Sequence, residues 1–219
     1  MAIAKNDGPV EIPVANIVQV SIPIIGIAPL VQCKFSQKAR EQMMLTMSTP
    51  KAAKKSKDAR PPRNYDADFA GAQHLMGAGD WGIPCIALKA AMVRACTTGN
   101  INIPMTRAKL ALWVLPDGLD MDDGTPLTRL LVEPPERLES LVRNDNGSAD
   151  IRIRPMWRKW RALVTIEFDR DMITDASVVN LLDRAGRQVG IGEGRQFSTK
   201  SVGQNWGSFT VPATQEQAA

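Results

Sequence analysis

Residues 151–161, Ile-Arg-Ile-Arg-Pro-Met-Trp-Arg-Lys-Trp-Arg, gather Arg152, Arg154, Arg158, Lys159 and Arg161 around Trp157 and Trp160. In extended backbone Arg152 and Arg154 fall on one face while Ile151 and Ile153 fall on the other. Guanidinium forks pair with phosphate oxygens, and an exposed indole stacks a base without reading sequence. This mixture suits a groove for single-stranded RNA or DNA, with Trp157 as the stacking ring. Trp160 is in phase with the apolar alternation that follows it and reads as core. The plainer alternative is a face of surface salt bridges with both tryptophans buried.

Two further segments carry charge that a polyanion would meet. Gly190-Ile-Gly-Glu-Gly-Arg195, followed by Lys200, matches neither a dinucleotide fingerprint nor a P-loop. Glycines still let backbone approach phosphate closely, although they serve equally well where a loop needs φ > 0. Residues 51–63 carry Lys51, Lys54, Lys55, Lys57, Arg60 and Arg63 against Asp58 alone, with hardly an apolar side chain. Burial there cannot offset the ordering entropy, so a mobile basic loop over about 51–70 is expected.

The inventory for catalysis is thin. His74 is the only histidine, in a stretch that reads as a solvated loop. Asp117, Asp120, Asp122 and Asp123 read as a solvated acidic turn, with Gly124 out of register for a calcium-binding loop. A metal-dependent nuclease built on that turn is the least favoured reading, and no cofactor is expected. Cys33, Cys85 and Cys96 match no zinc spacing and read as buried thiols of a reducing, cytoplasmic compartment. No apolar run reaches the roughly 18–20 residues of a membrane helix. The net charge of +4 is modest, so clustering of the charge matters more than its sum.

The elements that must position these groups read as α+β. Residues 12–35 suit strands broken by prolines, and Ser36 suits the cap of a helix containing Met43, Met44 and Met47. A second helix follows Trp81-Gly-Ile-Pro84 and stops near Gly99. Residues 109–115 and 127–132 read as strands, and 141–154 as a hairpin. Trp160, Ala162, Val164, Ile166 and Phe168 alternate as a half-buried strand. Thr174 caps a helix ending at Gly186, and short strands near 189–191 and 208–211 complete a βαβ-like unit.

The arrangement ending in Gly190-Ile-Gly-Glu-Gly-Arg195 and Gly203-Gln-Asn-Trp-Gly-Ser-Phe209 resembles the glycine-rich loop of the RAMP superfamily, the RNA-binding subunits of CRISPR effector complexes. The whole chain is also similar to small phage or prophage proteins of like layout, through Gly26-Ile-Ala-Pro-Leu30, residues 81–89, Val142-Arg143 and residues 152–155. The resemblance implies a single domain over 1–219: a ferredoxin-like, RRM-like core with a long insertion at about 36–105, and a tail at 212–219 expected to be disordered. It implies a non-catalytic subunit that polymerises along single-stranded nucleic acid, with Arg152, Arg154, Arg195 and Lys200 facing the strand. A phage structural or assembly protein, oligomerising through protein contacts, is the competing expectation.

Overall fold

The computed structural model describes residues 11–35, 37–48, 63–99, 101, 103–143, 147–198 and 202–213. In chain order the elements are β1 (Ile17–Gly26), β2 (Leu30–Val31), α1 (Gln37–Ser48), α2 (Tyr65–Gly71), β3 (Gly82–Pro84), α3 (Cys85–Ala95), α4 (Met105–Ala111), β4 (Leu112–Leu115) and β5 (Gly118–Leu119). They continue with β6 (Pro126–Leu131), β7 (Glu136–Arg143), β8 (Ala149–Trp157), β9 (Arg161–Asp169), α5 (Asp175–Arg184) and β10 (Phe209–Thr210).

The fold is α+β, and its pairings are antiparallel. β1 lies between β10 and β9, so β9 and β10 run parallel, joined through α5. The other edge of β9 takes β4 at one end and β6 at the other. A second sheet has the order β2-β8-β7.

β9 organises the core because its alternation is strict. Ala162, Val164, Ile166 and Phe168 are buried, and they meet Ile22 and Ile24 of β1, Leu112 of β4, and the apolar sides of α3 and α5. Thr174 caps α5 by accepting the amide of Ser177. Helix α3 starts after Pro84, whose missing N–H costs nothing at a helix start. At the end of β1 a Cβ on Gly26 would lie 2.2 Å from the Trp160 indole nitrogen. That close approach lets Trp160 donate to the Ala28 carbonyl at 2.8 Å.

Three expectations about elements are corrected. Residues 109–111 close a helix, Met105–Ala111, rather than being extended, and the strand starts only at Leu112. Residues 65–71, placed in the basic loop, form a helix capped by Asn64, which accepts from the amides of Asp66 and Ala67. The segment after α5 is a wide π-turn, Ala185–Val189, that closes on Gly190 at φ 72° instead of forming a strand. Residues 51–62, Ser36, Lys200 and 214–219, named in the expectations above, lie outside the described residues.

Among the described residues no helix is long and apolar enough to cross a membrane.

Candidate nucleic-acid interface

The hairpin β7–β8 forms as expected, with Leu141 opposite Ile151 and Ser140 opposite Arg152. Arg152 and Arg154 project from it toward the glycine-rich loop, so these two sequence signals do share a surface. What joins them is an acid. Arg154 Nε donates to Glu193, and Arg152 Nη1 stands 3.7 Å from the other oxygen of the same carboxylate. Arg158 donates to Glu136 at 2.9 Å, and Arg63 reaches Asp68 at 2.6 Å and Asp150 at 2.8 Å. Lys159 and Arg161 are exposed at the turn into β9, beside a hollow that also holds Asp80 and Glu133. Arg195 is exposed, its Nη1 donating to the Gly192 carbonyl at 3.1 Å. Lys54, Lys55, Lys57, Arg60 and Lys200 lie outside the described residues.

The stacking role expected of Trp157 is corrected. Its side chain is buried, 3% exposed, and meets Trp81 edge-on with ring centroids 6.2 Å apart. The cause is β2: Leu30 pairs with Trp157 and Val31 with Met156, so Pro155, Met156 and Trp157 are buried in succession and the strand's alternation ends. Trp160 is core, as its phase predicts.

The glycines of the second signal serve the loop's own packing. A Cβ on Gly192 (φ 77°) would lie 2.4 Å from the Val31 carbonyl oxygen, and one on Gly207 (φ 64°) only 1.8 Å from that of Ile191. The Glu193 amide donates to Val31 at 2.9 Å, Ile191 to Gly207 at 3.1 Å, and Gly207 to Pro29 at 2.7 Å. The loop is a clamped platform with Ile191 buried in it and Arg195 exposed on it.

Between this platform and helices α3 and α4 runs a groove of about 700 Å³. Ala87, Ala90, Ala91, Val93, Val189 and Ile191 give it an apolar floor, and its charged lining residues, Lys89, Arg94, Lys109 and Arg195, are all basic. Arg94 lies over the Phe197 ring, 3.9 Å from its centroid. Only Arg195 of these four was legible in the sequence. The others sit on two helices with no local cluster of charge, and the one signal was the i, i+4 line of Ile86, Ala90 and Arg94 along α3. A smaller hollow of about 380 Å³ adjoins the groove through Ala87, Ile191, Gly192 and Arg195, and His74 and Cys33 line its far end.

Behind that hollow lies a cluster the sequence did not reveal. Lys34 Nζ donates to Asp120 at 2.5 Å and to Asp122 at 2.6 Å, and Asp120 also accepts from His74 Nδ1 at 2.9 Å. Asp120 and Lys34 are buried, so the acidic turn is an anchored corner rather than a solvated one, and His74 is no solvated bystander. Burial pushes the Asp120 carboxyl up, but the Lys34 ammonium, the Asp122 amide and His74 outweigh it and hold it below the usual carboxylate range. Desolvation works against the Lys34 ammonium, and its two carboxylates more than restore it, raising its pKa. Burial lowers the His74 pKa despite Asp120, so the ring is neutral at neutral pH and its Nδ1–H points at the carboxylate. Arg40 holds Asp123 in the same turn.

Among the described residues no group of three or more His, Cys, Asp and Glu side chains is placed to hold a metal ion. Cys85 and Cys96 are buried as expected, whereas Cys33 is exposed. Compared with known proteins, the chain matches no protein-family model and no curated protein.

Proposed function

We propose that this chain binds single-stranded nucleic acid without cleaving it, and that the groove between α3, α4 and the glycine-rich loop is the surface that does so. The observation that carries the reading is the make-up of that groove: an apolar floor along which, among the described residues, every charged lining side chain is basic. Phosphates find Lys89, Arg94, Lys109 and Arg195, while unpaired bases find apolar surface. The hairpin arginines take a secondary part, because Glu193 and Glu136 already compensate much of their charge.

The architecture speaks for a ferredoxin-like core. The run β10-β1-β9-β4, with α3 between β1 and β4 and α5 between β9 and β10, has the strand order and crossover of a split βαβ pair. On that reading α3 belongs to the core, and the insertions are the chain from β2 to β3 and the chain from β5 to β8. The glycine-rich loop then stands between the last helix and the last strand, which supports the RAMP-like reading.

Assembly along the strand is favoured by apolar side chains left open on the sheet face away from the helices: Ile17 and Leu163 are 43% and 48% exposed. The same face supports the competing reading of a phage assembly protein that oligomerises without nucleic acid. An electrophoretic shift at low salt, over single-stranded RNA, single-stranded DNA and duplex, separates the two. Retardation of single strands supports binding. Oligomers that form after nuclease treatment, with no shift of any strand, support the assembly protein.

A further inference from the structure

Helix α3 turns an unusual face to the groove. Ile86 is left 67% exposed, and Ala87 and Ala90 continue the line to Arg94. At the end of this line the Arg94 guanidinium is laid over Phe197 at 3.9 Å, and its Nε is buried with no hydrogen-bond partner among the described residues. A buried guanidinium N–H without an acceptor costs about 1–3 kcal/mol, so Arg94 is held here, against that cost, by its place over Phe197.

We infer that the groove contains a subsite for one unstacked nucleobase, seated on Ile86, Ala87 and Ala90, with Arg94 gripping an adjoining phosphate. The inference rests on the single-strand-binding reading and deepens it, since it makes the bases, and not only the backbone, part of what is recognised. The apolar ledge supplies a surface for a flat heterocycle. Arg94, already held flat by Phe197, presents its fork with little further ordering, which suits bidentate phosphate binding better than a flexible ammonium. Lys89 and Arg195 flank the ledge and set the direction of the backbone across it. The required substrate is a strand whose bases are unpaired at that point. A duplex keeps its bases stacked inside and presents phosphate alone.

The test compares two labelled oligonucleotides of about 12 nucleotides, one of pyrimidines and one with abasic tetrahydrofuran residues throughout, by fluorescence anisotropy on the full chain. The abasic strand is expected to bind about tenfold more weakly at equal salt. Ala90→Leu, a change at an exposed helical position on the ledge, is expected to bring the pyrimidine strand down to about the affinity of the abasic one. Arg94→Lys is expected to weaken both strands. Equal binding of the two strands by the wild-type protein overturns the base subsite and leaves backbone binding standing. Absence of binding by either strand overturns both.

Discussion

Arg154 of the basic hairpin donates its Nε to Glu193 of the glycine-rich loop, and the same carboxylate is shared with Arg152. Arg152 also stands 4.0 Å from Asp150, so much of the charge that the two arginines alone suggest is compensated on this surface. Because the pair is partly solvated, its value lies in fixing the hairpin against the loop more than in stability.

Replacing Glu193 by Gln removes that compensation. The expected outcome is single-strand binding tighter by about three- to tenfold at low salt, with a salt slope steeper by about one ion. Titrations from about 50 to about 200 mM salt measure it. An unchanged affinity would place the hairpin arginines outside the bound strand's path.

Trp157 is expected to be a stability residue. Trp157→Ala should destabilise by about 3–5 kcal/mol in urea unfolding, the cost of emptying a buried indole site against Trp81. Trp157→Phe, which keeps most of the volume, should bind nucleic acid like the wild type. A Phe variant that folds normally and binds at least tenfold more weakly would return the ring to the interface.

The cluster of Lys34, Asp120 and His74 sets an acid-side pH dependence. The folded His74 pKa is below the ordinary value of about 6.5, so its contribution is complete above that value and is lost as pH falls through the folded pKa. Asp120 has the same sign lower down: its contribution is present above about 3.9 and fades as pH drops through its depressed folded pKa. Lys34 acts on the alkaline side, its contribution lost as pH rises through its raised folded pKa. Urea midpoints should therefore fall between pH 7 and pH 5, and His74→Gln should flatten that step. Asp120→Asn, which leaves the buried Lys34 ammonium Asp122 as its remaining carboxylate, should cost about 1.5–3 kcal/mol at pH 7.

How much of this was legible in sequence depended on how far each feature reaches along the chain. The alternation of Ala162, Val164, Ile166 and Phe168, the cap at Thr174 and the presence of the hairpin are local patterns, and all were read. Trp157 was misjudged because its burial is decided by Leu30 and Val31, a two-residue strand far earlier in the chain. Residues 109–115 look strand-like through Leu112 to Leu115, and the preceding helix overrides that pattern through the buried Ala108 and Ala111. The groove cations and the partners Lys34, His74 and Asp120 are brought together only by the tertiary fold, so no local spacing announced them.

On the proposed reading a single strand lies in the groove of α3, α4 and the glycine-rich loop. Its most direct test is anisotropy binding of a labelled single strand by the wild type, by Lys89→Gln/Lys109→Gln/Arg195→Gln, and by Arg152→Gln/Arg158→Gln, at about 50 mM salt. Expected are submicromolar wild-type binding, a loss of more than about tenfold in the groove variant, and a smaller loss, about three- to tenfold, in the hairpin variant. Wild-type protein that binds no single strand, or a groove variant that binds like the wild type, would contradict it.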